Sequence, residues 1–258
     1  MKVLLTNDDG INAPGLAALA KAISEIAEVV IVAPATEMSA VGHAITLTDP
    51  LRVSEVTKNG DFYGHAVSGT PADCVKLAYW ALLKDQPKPD ALISGINLGS
   101  NTGINTIYSG TVSAATEGAI LGIPSFAISL TTFVNPDFTY AAKFAAKFLP
   151  AFLNINLPRG VFFNVNVPAR PEKDIKGVKI TRQGMANYKE KYHVREDPYN
   201  RKYYWLTGKK IGVETDINVD DAAINAGYIS ITPVHYDLTA LHVTRDSALL
   251  DLERLTDL

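Results

Sequence analysis

The sequence predicts an α/β protein with an open, mostly parallel sheet and helices on both faces of that sheet. Short apolar strands alternate with stretches in which apolar residues recur every three to four positions, the spacing of an amphipathic helix. The first 34 residues form one complete unit, with a strand at 3–6, a helix from Leu16 and a strand at 29–34. Such a unit pairs its strands in parallel through a right-handed crossover.

The remaining elements continue this alternation. The apolar positions of the first helix lie on one face: Leu16, Leu19, Ile23 and Ile26. The strand at 29–34 is continuously apolar, as expected of a strand covered on both faces. Later helices are expected at 71–83, 112–121, 140–153 and 219–226, and later strands at 91–95, 124–130, 161–167, 178–181 and 228–233. A polar tail follows the last strand.

The segment from Arg182 to Lys210 differs from the rest of the chain in charge and aromatic content. It holds eight Lys and Arg residues against three Asp and Glu, a net charge of +5, and five of the eleven tyrosines. A hairpin this aromatic has too little core of its own, so we expect an extended arm that packs on a neighbouring subunit. The alternative is an RNA-binding surface that stacks on bases and attracts phosphates.

These differences divide the chain into three expected parts. We expect residues 1–181 to form the core and residues 182–212 to form the basic aromatic arm. Residues 213–258 form a C-terminal segment that completes the core and the contacts between subunits.

Composition excludes several classes of protein. Hydrophobic residues make up 47% and charged residues 20% of the chain, so a disordered or fibrous protein is excluded. The net charge of -3 argues against a polyanion-binding protein, and we expect no nucleic-acid partner. The single cysteine, Cys74, excludes an internal disulfide framework and a zinc site built from several thiolates. Its place in an apolar helix predicts a small core residue.

No apolar run in the sequence approaches the length that a membrane span needs. The apolar start at 3–6 is also too short for a signal peptide, because Asn7 and two aspartates follow it directly. We therefore expect a cytoplasmic protein without a membrane partner.

Polar side chains follow three of the predicted strands. Asp8 and Asp9 follow the strand at 3–6, Ser39 follows the strand at 29–34, and Asn97 follows the strand that begins at Ala91. The carboxyl ends of parallel strands meet at one edge of a sheet, where ligands bind. Oxygen ligands of this kind suit Mg²⁺, Mn²⁺ or Ca²⁺ better than zinc or copper. The alternative is an ordinary turn at Asp9-Gly10, with Asp8 as its hydrogen-bonding partner.

A candidate phosphate site lies at Ser109, Gly110 and Thr111, directly before an expected helix. Backbone N–H groups at a helix N-terminus attract anions, and hydroxyl groups add to this. The alternative is that Thr111 is an ordinary N-cap. The same Ser-Gly-Thr occurs at 68–70, but Pro71 and Asp73 there indicate an ordinary capped helix start.

Other catalytic motifs are absent from the sequence. It has no glycine-rich loop for a dinucleotide or an NTP, and no Gly-x-Ser-x-Gly of an esterase. His43 is near Ser39 in sequence, but we expect a loop or core role for it.

Several segments together resemble the SurE family of stationary-phase survival nucleotidases. The segments are LLTNDDG at 4–10, SGTPADCV at 68–75, SGINLGSN at 94–101 and YSGTV at 108–112. Shorter matches follow at 203–205, 215–216 and 227–233. The resemblance therefore runs in one order from residue 1 to about residue 240.

The resemblance implies a Rossmann-like three-layer sandwich and a metal-dependent 5'-nucleotidase that acts on nucleoside monophosphates. Some members also cleave 3'-nucleotides or short polyphosphate. It implies one divalent cation per subunit, Mg²⁺ or Mn²⁺, and a homodimer or homotetramer with exchanged arms. The implied metal ligands are Asp8, Asp9, Ser39 and Asn97, of which Asp8, Asp9 and Asn97 are catalytic. The implied substrate-binding residues are Asn101, Ser109, Gly110 and Thr111.

Two positions depart from the family pattern. Ala40 follows Ser39 where the family has glycine, and alanine is strained there if the position needs a positive φ. Asn105 stands where the family has an aspartate, which removes one negative charge near the phosphate.

The expected mechanism is metal-assisted attack of water on the phosphoryl group. An aspartyl-phosphate on Asp8 is the alternative mechanism, although the Asp-x-Asp spacing typical of it is missing. The alternative function is a non-catalytic sensor that binds metal and nucleotide and contacts a partner protein or RNA through its basic arm.

Overall fold

The structure is a computed structural model that describes residues 1–240. Most of the expected polar tail, and with it part of the segment 213–258, lies outside the described residues. Among residues 1–240, no helix is long and apolar enough to cross a membrane.

In the described part of the chain, nine strands form one sheet, and two more form a separate hairpin. The order in the sheet is β3-β4-β2-β1-β5-β6-β7-β11-β8. The strands are β1 (Lys2–Thr6), β2 (Glu28–Pro34), β3 (Val53–Lys58), β4 (Asp61–Val67), β5 (Ala91–Leu98), β6 (Ser125–Leu130), β7 (Val161–Val167), β8 (Val178–Ile180), β9 (Asn187–Glu196), β10 (Lys202–Ile211) and β11 (Ile229–His235). Only β3–β4 and β7–β11 pair antiparallel within the described sheet, so the predicted mostly parallel sheet is confirmed.

Six α-helices accompany these strands in the described part of the chain. They are α1 (Pro14–Ser24), α2 (Pro71–Leu77), α3 (Asn105–Tyr108), α4 (Gly110–Ile120), α5 (Thr139–Leu153) and α6 (Asp220–Asn225). A π-helical turn at Ala78–Leu82 continues α2, and a short 3-10 turn lies at Glu172–Asp174. Ile26 is exposed, because α1 ends at Ser24, two residues before the last apolar position that the spacing predicts.

Two helical layers cover the sheet. Val3 and Leu5 of β1 belong to the same apolar cluster as α1 and α5. Leu4 belongs to a second cluster with α2 and α4, which includes the fully buried Cys74. Successive residues of a strand point to opposite faces, so this division confirms the helices on both faces and the core position of Cys74.

Strand β5 runs three residues beyond its predicted end, to Leu98. Asn97 therefore lies within this strand rather than after it, and the register is irregular between Ser94 and Asn97.

The β3–β4 hairpin at the sheet edge was not predicted. Strand β3 is largely exposed, and β4 is buried only towards its end, at Gly64, Ala66 and Val67, so neither strand shows a clear alternating pattern. The turn still has a signal, because Asn59 and Gly60 both have positive φ, and Asn-Gly is typical of a two-residue hairpin turn.

The basic aromatic segment forms the β9–β10 hairpin, in which Asn187–Glu196 pairs antiparallel with Lys202–Ile211. Nearly every residue of both strands is exposed. At its base, Lys210 reaches Asp221 of α6 and Thr102, which ties the hairpin to the core. The exchange of this hairpin between subunits stays a prediction.

Candidate active site

The end of β1 turns sharply at Asn7, and this turn presents the two aspartates. The side-chain amide of Asn7 donates to the carbonyl of Gly10 over 2.9 Å, and Gly10 has a φ of 96°. Asn7 rather than Asp8 is thus the hydrogen-bonding partner of the turn. The carboxylate of Asp8 therefore takes no part in this turn.

Asp8 is almost fully buried, with 4% of its surface exposed. Its carboxylate accepts a hydrogen bond from the hydroxyl of Thr111. Gly110 packs against it so closely that a Cβ at that position would lie 2.8 Å from the Asp8 Cβ. Burial raises the pKa of Asp8, although the Thr111 hydroxyl acts in the opposite direction.

Asp9 is half-buried beside it. Burial, and then the charge of Asp8, raise the pKa of Asp9 to about 7, while the Leu98 N–H acts to lower it. Glu37 adds a smaller repulsion to both aspartates. The first strand end therefore holds two carboxylates that are destabilised when both are charged.

Ser39 lies in the loop after β2, at the same edge of the sheet. Its hydroxyl donates to Glu37 over 2.7 Å, and the loop is joined to the aspartates where the Met38 N–H donates to the Asp8 carbonyl. Ala40 has a φ of 58°, so this position does adopt the backbone conformation that favours glycine.

Asn97 occupies the end of β5. Its amide nitrogen donates to the Gly99 carbonyl over 2.7 Å, which leaves the amide oxygen available to a metal ion.

Asn101 lies two residues beyond Gly99, and hydrogen bonds to other strands hold both its backbone and its side chain. Asn166 pairs with both the N–H and the carbonyl of Asn101, and Ser129 accepts from its amide.

The candidate phosphate site lies at the start of α4. Ser109 is the N-cap, because its side chain accepts from the Val112 N–H over 3.1 Å. The alternative that Thr111 is the cap is therefore wrong. Gly110 and Thr111 are the first residues of the helix, both buried, and no acidic residue follows in the first turn.

One cavity of about 510 Å³ joins most of the predicted site residues. Asp8, Ser39, Asn97, Asn101 and Ser109 all line it. The cavity is not lined by three other predicted residues, Asp9, Gly110 and Thr111. Gly110 and Thr111 contact Asp8 instead. Asn105, the departure from the family pattern, also lines the cavity.

Comparisons with known proteins agree on one family. The family model described as "Survival protein SurE" matches residues 3–190. A "5'-nucleotidase SurE" of Syntrophobacter fumaroxidans is 51% identical over 93% of this chain and 95% of its own. One of Syntrophus aciditrophicus is 53% identical over 93% and 90%. The chain belongs to the SurE family.

The fold agrees with this assignment. The crystal structure of the SurE protein from Aquifex aeolicus matches with a TM-score of 0.83 and 41% identity, over 97% of this chain and 100% of that one. The family and fold that the sequence motifs indicate are thus confirmed, and the named relatives carry the activity that the resemblance implies.

The SurE-type donor set fits a hard divalent cation. Among residues 1–240, no three His, Cys, Asp or Glu side chains come together as metal ligands, so a metal here would also need oxygens from Ser39 and Asn97. Burial and mutual repulsion raise the pKa of Asp9, and a cation between the aspartates relieves that repulsion. Ser39 would first have to turn away from Glu37.

Sequence reasoning missed the residues that support this site. Asn164 and Asn166, both buried on β7, hold the backbone of Asn101. Their spacing of two places both side chains on one face of a strand, which is the signal that could have found them. Glu37 was also missed. It lies in the loop between the end of β2 and Ser39, and it accepts the Ser39 hydrogen bond.

His43 does not line the cavity. Its Nε2 lies 3.0 Å from a carboxylate oxygen of Glu117, whose other oxygen accepts from Lys76 over 2.9 Å. The loop role expected for this histidine is therefore what the structure shows. It connects the loop after β2 to α4.

A second cavity of about 460 Å³ lies between the loops that follow β6 and β7. Its charged lining includes Asp137, Lys143, Arg170 and Glu172, so it carries both signs of charge. It has no adjacent carboxylate pair, and we place the chemistry in the first cavity.

Proposed function

We propose that the chain is a metal-dependent 5'-nucleotidase that hydrolyses nucleoside 5'-monophosphates to a nucleoside and phosphate. The names of the SurE relatives support the reaction. One observation carries it to this chain: Asp8, Asn97 and Ser109 come from three distant parts of the sequence and line one cavity. Oxygen ligands at the polar end of a cavity, beside a helix N-terminus, suit phosphate chemistry.

Asp8, Asp9, Ser39 and Asn97 would hold one Mg²⁺ or Mn²⁺ ion. When bound, such an ion neutralises charge on the phosphoryl group and promotes attack by water. The Asp8 carboxylate is held in place, because Thr111 donates to it and Gly110 packs against it.

The phosphoryl oxygens would be held at the start of α4 and at Asn101. Ser109 lines the cavity directly, and the first N–H groups of a helix carry partial positive charge. Asn101 is fixed by buried hydrogen bonds from β7, so it meets a substrate without rearranging. Donors fixed in advance stabilise developing charge better than mobile ones.

Asp9 is the better candidate to accept the proton of the attacking water. It is half-buried, whereas Asp8 is nearly inaccessible and engaged with Thr111. A carboxylate that accepts a proton must be able to reach the water. In the alternative mechanism Asp8 attacks the phosphorus, and ¹⁸O from labelled water would then appear in Asp8 after one turnover.

Further parts of the proposal concern range and assembly. We propose 3'-nucleotides and short polyphosphate as additional substrates, and a homodimer or homotetramer in which the β9–β10 hairpin contacts a neighbouring subunit. The division into a core at 1–181, an arm at 182–212 and a C-terminal segment belongs to the same proposal, as does a cytoplasmic location.

The deciding experiment measures phosphate release from a panel of nucleoside monophosphates with Mn²⁺, Mg²⁺ or EDTA. We expect turnover with a metal, none with EDTA, and none for Asp9→Asn. Asp85→Asn, a change at an exposed carboxylate, is the matched control and should keep full activity. Metal-dependent binding of nucleotide without any release would instead favour the non-catalytic sensor.

A further inference from the structure

One wall of the site cavity is apolar, and the proposed chemistry does not use it. Phe133, Tyr108 and Leu206 line the same cavity as Asp8 and Ser109. Phe133 is 76% exposed and Tyr108 is 57% exposed. Two large aromatic side chains left in water at the wall of a ligand cavity indicate a surface that a ligand covers.

The exposed position of Phe133 is fixed by its neighbours. The Thr132 hydroxyl donates to the Val134 carbonyl over 3.0 Å and accepts from the Val134 N–H over 3.1 Å. The Thr132 N–H also donates to the carbonyl of Leu130 at the end of β6. These bonds close a tight turn around Phe133, so the ring is presented by the backbone.

The ring of Phe133 rests on the backbone of Gly99. A Cβ at Gly99 would lie 2.4 Å from two ring atoms, and Gly99 has a φ of 109°. Gly99 follows directly on the strand that carries Asn97, and its carbonyl accepts from the Asn97 amide. The aromatic ring is therefore held at a short, fixed separation from the polar end of the cavity.

The polar end and the aromatic wall of the cavity together indicate which ligand would fill it. A volume of about 510 Å³ is far more than a phosphate group needs, and it is in the range of small-molecule sites. The polar end, with Asp8 and Asn97, suits a phosphate with its metal. An open aromatic face suits the flat ring of a nucleobase, which every base presents for stacking.

We propose that Phe133, with Tyr108 as a second wall, is the nucleobase-binding platform of this site. The inference rests on the proposed function and deepens it, because it names the part of the chain that recognises the nucleoside. Base stacking does not depend on hydrogen-bond patterns, so the platform accepts all bases and favours purines for their larger area. The platform contributes to KM and leaves the chemical step to the polar end.

The test compares a nucleotide with a substrate that lacks the base. For the wild type and Phe133→Ala, kcat/KM is measured with AMP, with CMP and with ribose 5-phosphate. We expect the ratio of AMP to ribose 5-phosphate to fall about tenfold in Phe133→Ala through KM, since the base then loses its stacking on the aromatic ring. Phe133→Tyr should restore the ratio.

Trp80→Ala is the matched control. Trp80 is an aromatic residue of similar exposure, at 64%, on the π-helical turn after α2, and it does not line this cavity. It should leave the ratio unchanged. An equal loss with AMP and ribose 5-phosphate in Phe133→Ala would show that the ring only supports the loop, and would overturn the proposal.

Failure of the proposed function can be told apart from failure of the platform. If the wild type cleaves neither AMP nor ribose 5-phosphate, the proposed function is wrong. The platform is then judged by AMP binding to the metal-free protein in calorimetry. Binding about tenfold weaker in Phe133→Ala than in Trp80→Ala supports it, and equal affinity refutes it.

Discussion

The tripeptide Ser-Gly-Thr occurs twice in this chain, before α2 and before α4, and the two copies serve different purposes. In the first copy Thr70 is the N-cap, and Asp73 completes a reciprocal capping box. The Asp73 carboxylate also accepts from the N–H and the hydroxyl of Thr46. The polar groups at the start of α2 are therefore occupied by other parts of the chain.

In the second copy the cap lies two residues earlier. Ser109 caps α4, so Gly110 and Thr111 become its first helical residues. Gly110 and Thr111 both contact Asp8, and neither takes part in a capping box of the kind seen at α2. The start of α4 carries no acidic residue, and it therefore remains able to attract negative charge.

Pro71 explains the difference between the two copies. Proline is favoured at the first position of a helix because its φ is already helical and its missing N–H is not needed. It also disfavours the helical conformation for the residue before it, so α2 cannot begin at Thr70. Val112 stands at the equivalent position in the second copy and imposes no such limit. Pro71 thus fixes where α2 begins, and the Asp73 carboxylate closes that start, whereas α4 has neither a proline nor an acidic residue in its first turn.

The largest expected difference between the two regions concerns their aspartates. Asp8→Asn should lower phosphate release at least 100-fold, because it removes a charge that the proposed metal needs. Asp73→Asn should keep the activity of the folded protein. It should lower the free energy of unfolding by about 2–3 kcal/mol, since it disrupts buried hydrogen bonds to a charged group. Phosphate release and urea unfolding of both variants provide the measurement.

A second test places a proline after the second Ser-Gly-Thr, as Pro71 stands after the first. Val112→Pro removes the N–H that Ser109 caps and disfavours the helical conformation of Thr111. The Thr111 hydroxyl then loses its place beside Asp8, and we expect activity to fall about 10- to 100-fold, as for other residues that orient metal ligands. Val112→Ala is the control and should stay within about threefold. Full activity of Val112→Pro would contradict the open helix start.

The two threonines give a smaller and cleaner contrast. Thr111→Val removes the donor to Asp8 and should reduce metal affinity about tenfold, measured by calorimetry with Mn²⁺. Thr70→Val removes a cap and its bond to the Ala44 carbonyl. It should cost about 1–2 kcal/mol of stability and leave metal affinity unchanged. Equal effects of the two variants on metal affinity would show that the copies do not differ in purpose.

The sequence was sufficient to predict the fold class and the edge of the sheet where the site lies. Alternating strands and helices require parallel pairing, and parallel pairing brings the ends of β1, β2 and β5 to one edge. That argument predicts that Asp8, Ser39 and Asn97 lie near one another, and all three line one cavity. The β3–β4 hairpin escaped prediction because β3 and the first half of β4 are exposed and need no apolar pattern.

Contacts between distant side chains could not be predicted in this way. The sequence suggested a phosphate contact for Thr111, but the structure turns its hydroxyl to Asp8. The support of Asn101 by Asn164 and Asn166 depends on which faces of β6 and β7 meet a loop. Such contacts follow from three-dimensional packing, whereas local patterns report only periodicity and helix ends.

The last difference between the two helix starts is their response to acid. Burial acts to raise the pKa of Asp73, but hydrogen bonds from Thr46 and Thr70 outweigh it and hold that pKa below its ordinary value. A carboxyl group of this kind stabilises the fold above its unfolded pKa and loses that contribution as the pH falls through its folded pKa.

Wild type and Asp73→Asn should therefore differ most in unfolding free energy near pH 6, and the difference should narrow as the pH falls towards 3. Urea unfolding at several pH values measures it. The first turn of α4 has no carboxylate to protonate, so Ser109→Ala, which removes the other cap, should stay below the wild type by a constant amount over the same range. A gap for Asp73→Asn that stayed equally constant would mean that the charge of Asp73 does not stabilise the closed start of α2, and that the two helix starts differ only in their hydrogen bonds.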